Sequence, residues 1–348
     1  MSDTPIKIGC LLIADFALMS YSAVVEPLRA ANLLADRAIY EIRHFAVSGQ
    51  RAESSSELAV EGAVSAGVDC KIDYLFVFAG GDPARFDDDA VFEWLRVLAE
   101  RGVILVGVSG GPVILAAAGV MEGRRMTVHW EHAGLLSEVS PNLFIERTLY
   151  VVDRDRITCA GGIAPLDLMH ALITEHFGGD LAKRVSDWFM HTDIRPSGGP
   201  QRAGIAERYG TTSQTIVRAI EAMENHIADP LTLPQLAMLS GISTRQLNRL
   251  FGQKFGQSTM GFYRKLRLEK ARGFLAQSPM PINQVALAAG FSSQSLCRNA
   301  SGRDTESRPR HLGYDCQPVY WLTHFLVHDD FFGKRVIDFT HTFKDMLR

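Results

Sequence analysis

The sequence predicts a two-part fold: an α/β amino-terminal domain, with a parallel sheet covered by helices on both faces, then an all-α domain with two helix-turn-helix units. Three observations carry this. Strand-length apolar runs alternate with helical patterns over residues 1–195, a gapless internal repeat lies in the later half, and charge divides between the halves. Residues 1–199 carry 17 Lys and Arg against 27 Asp and Glu, and residues 200–310 carry 15 against 7, beneath a net charge of −3. A basic half joined to an acidic half points to a polyanion that only the second half meets.

Composition bounds the answer. The chain has 348 residues, enough for two or three domains at about 150 residues each. Its 47% hydrophobic and 22% charged residues are ordinary for globular proteins and exclude a disordered chain. No apolar run reaches the roughly 18 residues a membrane span needs, so no membrane partner is expected. Met1-Ser2-Asp3-Thr4-Pro5 has no basic flank or apolar core of an export signal, and a cytoplasmic location is expected. Cys10, Cys70, Cys159, Cys297 and Cys316 are odd in number and lack CxxC spacing, against a disulfide framework or a zinc site. No metal or cofactor is expected.

The first half is justified element by element. Ile6–Ile13, Ile42–Val47, Tyr74–Ala79 and Val103–Val108 are rich in β-branched or aromatic residues, as buried parallel strands are. Ser20–Ala35 and Ala90–Glu100 have apolar residues three and four apart, the helical period. Such βα alternation gives a sheet with ligands beyond the carboxyl ends of its strands. Two of those ends carry glycines: Tyr74–Ala79 runs into Gly80-Gly81-Asp82, and Val103–Val106 runs into Gly107-Val108-Ser109-Gly110-Gly111-Pro112. The second matches G-x-S-x-G, a sharp strand-to-helix turn that would present Ser109 as an elbow residue before a helix over Val113–Ala118. The helix start would aim free N–H groups at an anionic group. His129, in Thr127-Val128-His129-Trp130-Glu131-His132, and Glu26, on the first helix, are the candidate base and acid beside Ser109. The alternative is that both only satisfy polar groups in a cleft.

Residues 6–190 resemble the class I glutamine amidotransferase-like (PfpI-type) domain, a flavodoxin-like fold, at the front of one branch of AraC-family regulators. The matching stretches are Val25-Glu26-Pro27-Leu28-Arg29-Ala30-Ala31-Asn32, the Gly80-Gly81 turn, Ala118–Arg124, His129-Trp130-Glu131, Thr158-Cys159-Ala160-Gly161-Gly162, Leu166–Met169 and Arg195-Pro196. Enzymes of that superfamily use cysteine at the elbow, where this chain has Ser109, a far weaker unassisted nucleophile. The resemblance therefore implies a ligand sensor with the chemistry removed, and Ser109, His129 and Glu26 as vestigial candidates. Cys159 is expected to be a buried structural thiol.

The same branch senses small nitrogenous metabolites such as arginine, glycine betaine and carnitine. Glu26 would supply negative charge, Trp130 an aromatic face for a cation (with Phe16 or Tyr21 nearby), and the helix start after Ser109 donors for a carboxylate. The expected effector site is thus Glu26, Gly81, Ser109, Gly110, His129 and Trp130.

The turn-rich stretch 196–213 is expected to be a linker, followed by an amphipathic helix over Ile216–Ile227. Leu233–Leu247 then aligns without gaps on Ile282–Leu296: Leu233/Ile282, Leu236/Val285, Ala237/Ala286, Gly241/Gly290, Ile242/Phe291, Ser243/Ser292 and Leu247/Leu296. Each copy reads helix, glycine turn, capping serine, helix, the pattern of a helix-turn-helix. Residues 214–298 resemble the AraC/XylS-type DNA-binding domain, which implies two such units joined by one long helix, here Thr259–Ala276, in successive major grooves. Phe262, Leu266 and Leu268 are expected inward, and Arg264, Lys265, Arg267, Lys270 and Arg272 outward. Leu247, Leu250 and Phe251 are spaced for core, leaving Thr244, Arg245, Gln246 and Arg249 to face DNA, with Ser293, Gln294 and Arg298 in the second copy. Arg and Gln read guanine and adenine edges bidentately.

After Arg298 the correspondence stops: Leu250-Phe251 is answered by Asn299-Ala300, and the Phe255-Gly256 turn by Asp304-Thr305. Residues 299–348 read as an atypical tail, and a reading-frame shift near Arg303 is the expected cause, since permitted codons for Arg303–Pro309 in another frame can spell Arg-Tyr-Gly-Val-Thr-Pro. The second unit would then be truncated, residues 296–348 poorly ordered and DNA affinity reduced. The favoured expectation is a ligand-responsive transcription regulator that binds promoter DNA as a homodimer, with RNA polymerase as a further candidate partner. The competing class is a serine-dependent amidase or hydrolase built on Ser109, His129 and Glu26 with a helical accessory domain, and a third is a decayed regulator.

Overall fold

The computed structural model describes residues 4–47, 51–61, 64–140, 142–277 and 281–291. The chain divides into two compact units, the first ending at Tyr209 and the second beginning at Gly210. The first unit opens with β1 (Ile6–Leu12), α1 (Leu18–Leu34), β2 (Tyr40–Ala46), a small antiparallel pair β3 (Arg51–Glu53) and β4 (Ala59–Glu61), β5 (Val64–Ser65) and β6 (Tyr74–Ala79). It continues with α2 (Asp89–Glu100), β7 (Ile104–Ser109), α3 (Gly111–Ala117), β8 (Arg125–Thr127), α4 (Trp130–Val139) and β9 (Phe144–Glu146). Then come β10 (Tyr150–Asp153), β11 (Arg156–Cys159), α5 (Ala164–Phe177), α6 (Gly179–Trp188) and the single turn α7 (Ile205–Arg208).

Seven of these strands form one sheet in the order β10-β11-β7-β6-β1-β2-β5. Every neighbouring pair is parallel except β10–β11. The apolar strands are buried on both faces, and their alternation sorts them into two cores. Cys10, Leu12, Phe76, Phe78, Val106 and Val108 point to the side covered by Val24 and Leu28 of α1 and by α5 and α6. Leu11, Ile13, Leu75, Val77 and Leu105 point to the side covered by Val91, Leu95 and Leu98 of α2 and Ile114 and Leu115 of α3. All four expected strands and all three expected helices are present. The short β3–β5, the edge strand β10 and its neighbour β11, none longer than four residues, have too little apolar pattern to announce themselves. Cys10 and Cys159 are fully buried, and burial pushes the Cys159 thiol up to about 12.

The carboxyl end of this unit is tied down by one buried carboxylate. Asp167 of α5 accepts hydrogen bonds from the Arg195 backbone N–H (2.9 Å), Arg195 Nε (3.0 Å) and Nη2 (2.6 Å), and contacts His191 Nε2 at 2.9 Å. Residues 196–200, expected as linker, pack onto the same unit: Ser197 O accepts from Leu149 N at 2.9 Å, and Pro200 forms a β-bridge with Thr148.

In the second unit the helices are α8 (Gln214–Asn225), α9 (Leu233–Leu239), α10 (Thr244–Phe255), α11 (Thr259–Gln277) and α12 (Ile282–Ala288). The described part of the repeat, as far as Phe291, matches in three dimensions. Helices α9 and α12 start at the equivalent Leu233 and Ile282, each is 7 residues long, and Leu236/Val285 and Ala237/Ala286 are buried in both copies. The equivalent Gly241 and Gly290 both have left-handed φ, 71° and 72°. At Gly290 space matters too, because a Cβ there would lie 2.3 Å from the Ile227 carbonyl oxygen. Tyr263 of α11, fully buried, donates its hydroxyl to the His226 carbonyl and accepts from Leu231 N–H at 3.3 Å, fixing the chain between α8 and α9. The expected features of residues 296–348, including the altered tail, lie outside the described residues.

Asp167→Ala strips the counter-charge from Arg195, and breaking such a pair costs about 3 kcal/mol when one partner is buried. The urea unfolding midpoint of the full chain is expected to fall accordingly; an unchanged midpoint would show that the network contributes nothing net.

Candidate functional site

Strand β7 ends at Ser109, whose φ of 61° is left-handed and strained for a residue with a side chain. Two contacts hold it there. Ala79 of β6 pairs in register with Ser109 and its carbonyl accepts from Gly110 N–H at 3.0 Å. The turn after β11 presses from the other side, where a Cβ on Gly161 would lie 2.6 Å from Ser109 Cβ. The next turn packs so closely on β6 that a Cβ on Gly111 would lie 1.9 Å from the Val77 carbonyl oxygen, so the flanking glycines of the sequence motif are sterically required. Ser109 is buried, and its hydroxyl makes no hydrogen bond among the described residues.

His129 reaches the elbow through its backbone, whose N–H donates to the Ser109 carbonyl at 3.3 Å. Its ring instead caps α4: Nδ1 accepts from Glu131 N–H at 3.4 Å and lies 3.7 Å from Glu131 Oε2. Burial pushes the imidazole pKa down, partly countered by Glu131. The structure therefore brings Ser109 and His129 together without the hydroxyl-to-imidazole hydrogen bond of a nucleophile and its base.

Glu26 is the first correction. It sits in a half-exposed ion pair with Arg29 (2.7 Å), off the buried face of α1. The α1 side chain at the site is Ser20, whose Oγ accepts from Gly162 N–H at 2.8 Å, beside the Gly161 contact with Ser109. Residues six apart on a helix are about 120° apart around its axis, so Ser20 and Glu26 cannot share this face. Phe16 is likewise core, fully buried and edge-on to Tyr21 at 5.4 Å. Gly81 and Gly110 lie in the turns after β6 and β7. Gly81, with φ 56°, lies against Asp15, and Pro83 approaches Gly110. The adjoining Asp82 is a residue the motif reading passed over: burial raises its pKa, and Arg85 Nε lies 3.0 Å away.

Trp130 is the second correction. It is 42% exposed and 5.2 Å from the His129 ring, at the rim, but its face is covered by the guanidinium of Arg202, 4.2 Å from the ring centroid. The segment is anchored by the preceding residue, Gln201, whose amide nitrogen lies 3.0 Å from Thr127 Oγ1, 3.1 Å from Val128 O and 2.8 Å from Thr148 O. Position 202 is distant in sequence from Trp130, and only the basic-aromatic chemistry could have suggested the pair.

On the helical side, α10 buries Leu247 and Phe251 and exposes Arg245, Gln246 and Arg249, with Thr244 half-buried. Gln246 is partly committed: its Oε1 accepts from Ser243 N–H and Oγ–H, both at 3.0 Å, in a capping box. Arg267 is a third correction. It points inward, donating from Nε to Ala289 O at 3.0 Å and from Nη2 to Gly290 O, with its guanidinium 4.1 Å from the Phe291 ring centroid. It caps α12 rather than facing DNA. Ser293, Gln294 and Arg298 lie outside the described residues.

Together the two units define a class: an α/β domain with a strained strand-to-helix elbow, joined to a helical domain whose α10 exposes two arginines. Comparisons with known proteins agree on both parts. The DJ-1/PfpI family matches residues 8–175, and a helix-turn-helix domain of AraC type matches residues 236–313. The chain is 44% identical to the HTH-type transcriptional regulator GlxA of Rhizobium meliloti over 88% of this chain and 95% of that one. To the HTH-type transcriptional regulator CdhR of Pseudomonas aeruginosa it is 40% identical, over 82% and 84%. An AraC family transcriptional regulator from Pseudomonas putida, known from a crystal structure, matches 53% of this chain and all of its own at 26% identity with a TM-score of 0.49. The chain belongs to the AraC-family transcriptional regulators that carry an amino-terminal DJ-1/PfpI domain. No helix among the described residues is long and apolar enough to cross a membrane.

Gly161→Ala would add a Cβ against Ser109 at a left-handed φ of 87°. Such strain costs about 1–3 kcal/mol, so the variant is expected to unfold at lower urea concentration. Burial also pushes the imidazoles of His44 and His176 down, as it does that of His129, and His176 lies between the Tyr40 and Tyr74 hydroxyls at 2.9 and 2.8 Å. The unfolded chain binds protons that these buried rings refuse. Their stability contribution is therefore complete above about pH 6.5 and is lost as the pH falls through the folded values. Unfolding midpoints should drop on acidification below about pH 6.5, and His176→Gln should flatten the drop.

Proposed function

We propose that this regulator senses a small nitrogenous metabolite in the Ser109 cleft and responds by changing how its paired helix-turn-helix units engage a promoter. The carrying observation is the elbow itself: a strained, buried Ser109 at a strand-to-helix turn, with a hydroxyl that has no base. That arrangement suits binding, with Ser109, Gly81, Gly110 and His129 as the expected lining and a serine where the superfamily's enzymes use cysteine. The exposed Asp15, which lies against Gly81, would take the place expected of Glu26 in balancing a cationic end. The sensing part would span residues 1–195 and the DNA-binding part would begin at residue 214. Homodimers would let two copies read paired half-sites, and contact with RNA polymerase would carry the output.

In the DNA-binding part, Thr244, Arg245 and Arg249 are proposed to contact DNA, with a lesser share for Gln246. The competing reading, a serine-dependent amidase, draws on the strained elbow alone. Ser109→Ala separates the two: metabolite-dependent promoter response should persist, whereas the amidase reading requires that turnover of ester or amide substrates exist and vanish. In gel shifts on the gene's upstream region, Arg249→Ala should weaken binding by about 1–3 kcal/mol if the side chain reads a base, with sequence preference relaxed at that position. If it meets phosphate, the loss should be uniform across sequences and the salt slope should fall by about one. Unaltered affinity and salt slope would remove Arg249 from the interface.

A further inference from the structure

Arg202 lies on the stretch of chain that leads from the α/β unit toward Gly210, where the second unit begins. Its guanidinium carbon lies over the Trp130 ring, 4.2 Å from the centroid, next to His129, whose backbone touches Ser109. Two further observations set it apart from an ordinary surface arginine. Gln201 beside it is held by one amide nitrogen facing three acceptors at 2.8–3.1 Å, and Pro200 bridges Thr148, so the backbone on its amino side is anchored to the α/β unit. Yet Arg202 has no carboxylate partner and makes no hydrogen bond among the described residues.

The cation–π contact holds the guanidinium without using its N–H groups, which have no partner among the described residues. An aromatic-backed arginine in this state is a preorganised receptor for a planar anion, because little rotamer freedom remains to be lost on binding. The same contact removes the Trp130 face from any cationic end of a ligand. We propose that Arg202 is an effector-binding residue that pairs with a carboxylate of an amino-acid-like ligand lying in the Ser109 cleft, so that the ligand grips the connecting chain directly. This rests on the sensing reading of the cleft and adds to it the ligand's anionic group and the residue that meets it. A ligand bridging the elbow and Arg202 would favour the arrangement in which the 200–202 segment stays docked, and that difference in affinity between docked and undocked arrangements couples the cleft to the helical unit.

The test is calorimetric titration of the full chain with two matched pairs, glycine betaine with choline and L-arginine with L-arginine methyl ester, in which only one member carries a carboxylate. The unaltered chain should bind at least one carboxylate member about tenfold or more tightly than its mate. Arg202→Gln should lose that preference while binding the mate as before. Gln201→Ala, which keeps the guanidinium and frees its anchor, should weaken the carboxylate member several-fold. Equal binding of both mates by the unaltered chain overturns the inference alone. So does tighter or unchanged carboxylate binding by Arg202→Gln, which would make Arg202 a plug that the ligand displaces. If neither pair nor any other amino-acid-like zwitterion binds the unaltered chain, the effector reading of the cleft falls first and the role of Arg202 with it.

Discussion

The left-handed backbone of Ser109 is the constraint on which the first unit's functional geometry depends. A non-glycine residue in that region costs about 1–3 kcal/mol and persists only where its surroundings over-determine it. Here the surroundings are the β6–β7 pairing at Ala79, the abutting Gly161 and the close approach of Gly111 to Val77. Each comes from a different strand end, so the cleft exists only when β6, β7 and β11 are all in register. The buried sheet supplies that register, because a one-residue slip would turn a two-core strand such as Leu75–Ala79 inside out.

The path from the cleft toward the second unit is fixed in steps. Asp167 fastens Arg195, Ser197 bonds Leu149, Pro200 bridges Thr148, and Gln201 fastens to Thr127, Val128 and Thr148. Val128 immediately precedes His129, and Thr127 N–H donates to the buried Thr158 Oγ1 of β11 at 2.8 Å. One short segment, 127–130, therefore touches the elbow, the sheet and the connecting chain. A contiguous set of hydrogen-bonded groups thus joins the elbow to the chain beside residue 202.

The sequence made the architecture legible where periodicity and identity were strong. The buried strands declared themselves by unbroken apolar runs, and the repeat by matched residues whose glycines share one φ. Single side chains were harder, for specific reasons. Ser20 and Glu26 lie on the same helix, and which one meets the cleft depends on helical phase, which rotates by about 100° for each residue of error in placing the helix. Arg267 looked solvent-facing because its acceptors, the carbonyls of Ala289 and Gly290, belong to the next helix and leave no trace in side-chain pattern. Gln246 was different: the Ser243-x-x-Gln246 spacing is a capping-box signature present in the sequence, outweighed there by the attraction of a base-reading glutamine.

The capping role of Gln246 constrains what the first recognition helix can read. A glutamine reads adenine with its amide oxygen and nitrogen together, and here the oxygen already accepts two bonds that hold the start of α10. Turning it toward a base would break the reciprocal half of the capping box, leaving only the bond from Gln246 N–H to Ser243 Oγ. The first recognition helix is then left with Arg245 and Arg249, four apart on one exposed face, and half-buried Thr244. Two arginines and a threonine favour guanine and phosphate over adenine. If these three are its readers, as proposed, the helix would discriminate weakly alone and selectivity would be shared with another helix-turn-helix unit, in the same chain or in a second copy.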